Sequence, residues 1–160
     1  MLTLLPAALI LLQAPSIPRS VEVRPGVFVV QGVPDAEVFA ALKAAGITHV
    51  LNLRKDSEGD TGADALAAKG AAADYGRCPM DREPKAEDLD AFRARMAALP
   101  KGARVLLHCA SGNRVAGALF AYWVLNEAME PAKALELAKK AGLSNAATEA
   151  AVKAYVASRK

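Results

Sequence analysis

Apolar residues along the chain alternate between the spacing of strands and the spacing of helices. Short β-branched runs at 21–23 and 27–30 flank Arg24-Pro25-Gly26, a turn signal, and predict an antiparallel hairpin at the N-terminal end of the fold. Further short apolar runs predict strands at 47–53, 71–80 and 104–108. Apolar residues at helical spacing predict helices at 35–46, 61–70, 84–100, 115–125, 131–141 and 145–158. This alternation implies right-handed crossovers and an α/β fold, with a mainly parallel central sheet flanked by helices.

Local signals refine three of these helices. Asp35 precedes a segment in which apolar residues share one face, and its carboxylate is a typical N-cap. The run Thr61-Gly62-Ala63-Asp64 has the spacing of a capping box, which predicts Thr61 as the N-cap of the second helix. The helix at 115–125 is apolar on nearly all sides, so we expect it to be buried in the middle of the domain.

The N-terminal run, residues 1–14, resembles the apolar core of a secretory signal peptide. We therefore predict a leader at 1–14, a single domain at 15–160, and export to the periplasm or the medium. No Lys or Arg precedes the apolar run, and Leu12-Gln13-Ala14 is a poor match to a small-x-small cleavage site. A cytoplasmic location, with the run covering the domain as a strand or helix, is the alternative.

Composition excludes several classes of function. Twenty basic and seventeen acidic side chains leave a net charge of +3, too small and too evenly spread for a nucleic-acid surface. After the leader no run approaches the roughly 18 apolar residues of a membrane-spanning helix. The two histidines lie far apart and no Cys/His cluster accompanies them, so we expect no metal site, and no cofactor is implied. The oligomeric state stays open.

The richest chemistry lies in His108-Cys109-Ala110-Ser111-Gly112-Asn113-Arg114. Here a cysteine falls between a buried strand and a helix start, where free N–H groups and the helix dipole favour a thiolate. Gly112 allows backbone conformations that a β-carbon forbids, so successive amides can point inward as an anion nest. Arg114 adds a planar fork that matches two phosphate oxygens. The loop is hard to explain as packing, since it contributes no apolar side chain beyond Ala110.

This loop resembles the signature of the cysteine-based protein tyrosine and dual-specificity phosphatases. The segment at 42–53, Leu-Lys-Ala-Ala-Gly-Ile-Thr-His-Val-Leu-Asn-Leu, is similar to the helix-to-strand segment of the dual-specificity type. The resemblance covers roughly residues 27–142. The resemblance implies a dual-specificity phosphatase-like fold, Cys109 as nucleophile and Arg114 as the phosphate-binding group.

The loop departs from the usual signature by one residue. Four residues, 110–113, separate the cysteine from the arginine, where the usual number is five. The shorter Cys-x-Ser-Gly-x-Arg form resembles a bacterial group of phosphatase domains, including those described as beta-lactamase-hydrolase-like. It also resembles the active loop of rhodanese-type sulfurtransferases, although the Asp-x-Arg and Gly-His-Ile segments typical of rhodaneses have no counterpart upstream.

The resemblance also implies roles for neighbouring residues. A general acid is expected on the loop after the preceding strand, where Asp81 is the best-placed candidate and Glu83 and Asp88 are alternatives. Around the nucleophile we expect substrate-binding contributions from His108, Ala110, Ser111, Gly112 and Asn113. A permanent disulfide between Cys78 and Cys109 would block the nucleophile, so we predict two thiols in the active form, with a reversible bridge as the alternative.

The resulting prediction is a phosphomonoester hydrolase that acts through a phosphocysteine on Cys109. Its substrate would be a phosphorylated protein or a small phosphate ester. One alternative is a rhodanese-like sulfurtransferase that carries a persulfide on Cys109. A second alternative is a module that binds phosphate with little turnover.

Overall fold

The computed structural model describes residues 16–159. The predicted leader lies outside the described residues, so the leader and export stay predictions. The chain begins with the expected hairpin, in which β1 (Ser20–Arg24) pairs antiparallel with β2 (Val27–Val30). The prediction of this hairpin is confirmed.

Three further strands complete a five-stranded sheet in the order β1-β2-β5-β3-β4. They are β3 (His49–Asn52), β4 (Asp74–Arg77) and β5 (Val105–His108), and every pairing among β2, β5, β3 and β4 is parallel. The predicted α/β class with a mainly parallel sheet is confirmed. The predicted strands at 47–53 and 71–80 are shorter than expected, because only their central residues pair with a neighbouring strand.

Within the described part of the chain, six helices flank the sheet, as the apolar spacing predicts. They are α1 (Ala36–Leu42), α2 (Thr61–Gly70), α3 (Ala86–Ala97), α4 (Asn113–Asn126), α5 (Pro131–Ala141) and α6 (Ala146–Ser158). None of the helices within residues 16–159 is long and apolar enough to cross a membrane.

The helix starts confirm one predicted cap and correct another. The Asp35 carboxylate accepts hydrogen bonds from the amides of Glu37 and Val38, as expected of an N-cap. The predicted capping box at 61–64 is wrong. The N-cap of α2 is Asp60, whose Oδ1 accepts from Gly62 N and Ala63 N, and Thr61 is the first helical residue. A carboxylate one residue earlier reaches both free amides, so the hydroxyl is not needed.

Two apolar layers sandwich the sheet. On one face, Val105, Leu107 and Cys109 belong to the larger core, which α3, α4, α5 and α6 cover. On the other face, Leu106 and Val50 pack with α1 and α2. Helix α4 packs against α3, α5 and α6, so it lies at the centre of its layer as predicted. This burial fixes the start of α4 against the sheet.

The carboxyl ends of β5, β3 and β4 lie side by side because these strands are parallel neighbours. The loops that follow them, 109–112, 53–60 and 78–85, therefore meet at one edge of the sheet. Open α/β sheets bind ligands at this edge.

Candidate functional site

The cysteine loop joins the most central strand of the sheet to its most buried helix. Cys109 directly follows β5 and is fully buried, and the backbone amide of Gly112 donates a hydrogen bond to its Sγ at 3.1 Å. Gly112 is the N-cap of α4 and has a φ of +87°, in the left-handed region that favours glycine. A β-carbon there would also lie 3.3 Å from the Ala141 carbonyl oxygen. The amide that faces the sulfur thus depends on glycine at 112.

Arg114 lies in the first turn of α4, where a carboxylate holds it in place. Its Nη1 and Nη2 donate to Oε2 and Oε1 of Glu58 at 2.7 and 2.6 Å, a bidentate ion pair. Nη1 also donates to the carbonyl oxygens of Met80 at 3.0 Å and Leu53 at 3.4 Å. The guanidinium therefore ties together the three loops of the carboxyl edge.

This pair changes the electrostatics of the site. The hydrogen bonds from Arg114, with further help from the Lys55 amide, lower the pKa of Glu58 to about 2. The pKa of Arg114 is raised, first by Glu58 and then also by the charge of Cys109. A guanidinium has five N–H donors, and within residues 16–159 none of these hydrogen bonds uses its Nε. The charge of Cys109 acts on Arg114, so the guanidinium and the sulfur lie close to each other.

The predicted general acid, Asp81, lies one residue beyond Met80. Its Oδ1 accepts a hydrogen bond from Lys55 Nζ at 2.5 Å, and the two side chains are each about half exposed. This contact is the main reason that the pKa of Asp81 is lowered, and Lys85 and Arg114 lower it further. The structure thus brings Asp81 to the loop edge as an ionised partner of Lys55. Of the alternative candidates, Asp88 is occupied elsewhere, because its Oδ2 accepts from the Lys85 amide at the start of α3. Among residues 16–159, the Glu83 side chain takes part in no hydrogen bond or ion pair.

His108 is fully buried, and alternation along β5 places it on the Leu106 face, away from Cys109. Neither ring nitrogen has a hydrogen-bond partner among the described residues. Burial, helped by the charge of Arg54, lowers the pKa of His108 to about 3, so the ring is neutral. The structure thus places His108 beneath the loop, on the face of the sheet opposite Cys109, and its predicted substrate-binding role stays a prediction.

The remaining residues of the cysteine loop have different surroundings. Ala110 and Ser111 are exposed to solvent. The Asn113 side chain points toward the loop before α6, where its Oδ1 accepts from the amides of Ser144 at 2.8 Å and Asn145 at 2.7 Å. Asn113 thus binds the α5–α6 connection to the cysteine loop, a contact that the sequence analysis did not anticipate.

Cys78 is a buried free thiol, as is Cys109. It belongs to the same apolar core as Cys109, and burial raises its pKa, with Arg95 opposing that shift. The absence of a bond between Cys78 and Cys109 agrees with the prediction of two thiols. Residues 16–159 contain no group of three or more His, Cys, Asp or Glu side chains arranged to hold a metal ion.

Sequence reasoning missed Glu58 as the partner of Arg114 and Lys55 as the partner of Asp81. Both lie in the polar loop after β3, where no periodicity marks individual residues. The usable signal was electrostatic: an arginine buried next to a cysteine requires a carboxylate partner. Arg54, at the start of the same loop, is buried, with Asp64 Oδ2 at 3.5 Å from its Nη1.

The sequence matches no protein-family profile and no curated protein. Solved structures resemble it much more clearly. A protein of Shewanella putrefaciens CN-32 from the group DUF442, described as a candidate phosphatase, has a TM-score of 0.70 and 27% identity, with 89% of this chain and 93% of that one covered.

Two other structures are similar at lower identity. Tk-PTP in its active form has a TM-score of 0.71 at 18% identity and covers 89% of this chain and 99% of its own. TpbA of P. aeruginosa, in complex with phosphotyrosine, has a TM-score of 0.67 at 19% identity and covers 89% and 84%. With its cysteine loop between β5 and α4, the chain has the fold of the cysteine-based protein tyrosine and dual-specificity phosphatases.

Proposed function

We propose that this protein is a phosphomonoester hydrolase that acts through a phosphocysteine on Cys109. The observation that carries the proposal is the pairing of Cys109 Sγ, which accepts from the Gly112 amide at 3.1 Å, with an Arg114 guanidinium fixed by Glu58. A thiolate beside inward amides and an arginine edge suits attack on a phosphate. The fold of the phosphatases above supports the same chemistry.

The reaction proceeds in two displacements. Cys109 Sγ attacks phosphorus and forms an S–P bond as the P–O bond to the leaving group breaks, and the Asp81 carboxyl gives its proton to the departing oxygen. A water then attacks phosphorus, its proton passes to the Asp81 carboxylate, and the S–P bond breaks to return the thiolate and release phosphate. Arg114 and the loop amides stabilise the charge on the non-bridging oxygens.

Backbone carbonyls of the two neighbouring loops also help to orient Arg114. Because Met80 and Leu53 accept from Nη1, the guanidinium plane has little freedom to turn. Because the guanidinium is already held in one orientation, less conformational entropy is lost when phosphate binds. No hydroxyl side chain follows Arg114 in Val115-Ala116-Gly117, so water activation in the second step falls to Asp81.

The substrate class is a phosphate monoester, on a protein or on a small molecule. Among structures of the same fold, TpbA holds phosphotyrosine and PTPMT1 holds PI(5)P. Both ligands carry a phosphate monoester, which is the chemistry that the Cys109 loop suits.

The test compares wild type with Cys109→Ser on an aryl phosphate, and in parallel on thiosulfate with cyanide as acceptor. We expect Cys109-dependent phosphate release, lost by about 10³-fold or more in the variant, because the hydroxyl is a far weaker nucleophile at neutral pH. Cys78→Ser is the matched control and should retain turnover. Sulfur transfer without phosphate release would favour the sulfurtransferase alternative, which the four-residue spacing between Cys109 and Arg114 keeps open.

A further inference from the structure

The loop after β3 contacts both charged groups of the candidate site. Within it, Glu58 holds Arg114, and Lys55 holds Asp81. The two contacts are linked, because Glu58 Oε2 also accepts from the Lys55 backbone amide at 2.7 Å. The 3₁₀ turn Asp56–Glu58 thus fixes the start of the Lys55 side chain relative to Arg114.

Cations approach Asp81 from three elements. Lys55 comes from the loop after β3, Lys85 from the start of α3, and Arg114 from the first turn of α4, and each favours the ionised carboxylate. Arg114 is already neutralised by Glu58, and only Lys55 is in hydrogen-bond contact. Lys55 is therefore the cation that decides the state and the position of this carboxylate.

We propose that Lys55 is a positioning residue of this site, which holds the Asp81 carboxylate beside the cysteine loop and thereby sets the upper pH limit of turnover. This inference rests on the proposed phosphatase function and on Asp81 as its acid. A general acid acts only while protonated, so an ion pair that stabilises the carboxylate narrows the pH range of the enzyme on the alkaline side.

Lys55 lowers the pKa of Asp81, so replacing Lys55 with an uncharged side chain raises that pKa. The alkaline limb of kcat/KM then moves to higher pH. On that limb, kcat/KM of the uncharged variant should therefore exceed the wild-type value.

The experiment measures the pH profile of kcat/KM for wild type, Lys55→Met and Lys55→Arg, on phenyl phosphate and on 2,4-dinitrophenyl phosphate. Phenolate is the poorer leaving group and needs the acid, whereas dinitrophenolate does not. We expect Lys55→Met to move the alkaline limb upward for phenyl phosphate alone, and Lys55→Arg to restore the wild-type limb. Lys69→Met is the matched control, because Lys69 lies in the last turn of α2, at the end of that helix remote from the site.

Measurements in the Asp81→Asn variant and in wild type distinguish a failure of this inference from a failure of the proposed function. In Asp81→Asn, Lys55→Met should have no further effect on the profile, since the group it acts on is gone. A Lys55→Met variant that keeps the wild-type alkaline limb on phenyl phosphate, or that changes both esters alike, would overturn the inference and leave the phosphatase intact. Absence of Cys109-dependent phosphate release in wild type would instead overturn the proposed function itself.

Discussion

Glu58 shows how one carboxylate can prepare a phosphate site without contacting the phosphate. Its two oxygens accept from Nη1 and Nη2 of Arg114, so they fix the plane of the guanidinium. The pair is largely buried, with the Glu58 side chain 28% and the Arg114 side chain 10% exposed. Breaking a pair in such surroundings leaves a charge without its partner.

We expect Glu58→Gln to lower the free energy of unfolding by about 1–3 kcal/mol at pH 7, below the value for a fully buried pair because Glu58 is partly exposed. The pKa of Glu58 is depressed from 4.5 to about 2 in the folded state, so its contribution is complete above pH 4.5 and is lost as the pH falls toward 2. Urea titrations at pH 7 and pH 3 measure the difference.

The exposed Glu136→Gln on α5 is the control for the loss of one negative charge. It should leave the unfolding free energy nearly unchanged at both pH values. A Glu58→Gln variant with wild-type stability at pH 7 would contradict the role assigned to the ion pair with Arg114.

At the scale of elements, the cysteine loop depends on how closely α4 and α6 approach. Gly117 lies on the face of α4 that meets α6, and a β-carbon there would lie 3.1 Å from Thr148 Cγ2 and from Val152 Cγ1. These are tight contacts in a fully buried layer, where close-packed side chains yield little. The helix that carries Arg114 is thus located by a glycine three residues further along.

Gly117→Val therefore tests the seating of α4. We expect a loss of about 1–3 kcal/mol in the free energy of unfolding, because two added methyl groups must displace α6. Gly70→Ala, at the end of α2, is the matched control: no atom lies within 4 Å of its β-carbon position, and alanine favours helix there. Thermal and urea unfolding should therefore separate the two variants in opposite directions.

Strands and helices were predictable from the sequence because apolar spacing reports burial on one or both faces. The α5 prediction at 131–141 matches the structure, since proline at its start and glycine after its end mark both limits. Side-chain contacts across loops were not predictable in this way. Lys55, Glu58 and Asp60 lie in one polar run, and only the folded geometry decides which carboxylate caps a helix and which binds an arginine.

At the scale of the molecule, polar groups are concentrated on the α1–α2 side of the carboxyl edge of the sheet. Asn52 donates to the Tyr75 hydroxyl at 2.8 Å and to Asp64 at 3.4 Å, and Arg54 is buried nearby. His108 lies in this layer without a hydrogen-bond partner for either ring nitrogen among the described residues. A buried ring with no partner can stay in place only while it is neutral.

His108 therefore makes the free energy of unfolding of the domain depend on pH in the acid range. Its pKa is about 3 in the folded state, against 6.5 for a free histidine, so between these values the unfolded chain binds a proton that the folded protein does not. Stability falls as the pH falls through this window, by about 2 kcal/mol from pH 7 to pH 5. His108→Leu removes the titrating group and should flatten this decline, as measured by urea unfolding at pH 7, 6 and 5.

Val105→Ala, a change in the same strand that does not titrate, is the control and should lower stability by a similar amount at each pH. A pH dependence of unfolding that is identical in wild type and His108→Leu would contradict the assignment. If the assignment holds, the decline in stability toward acid comes from proton uptake by His108 in the unfolded chain, and it is independent of the Lys55–Asp81 pair at the carboxyl edge of the sheet.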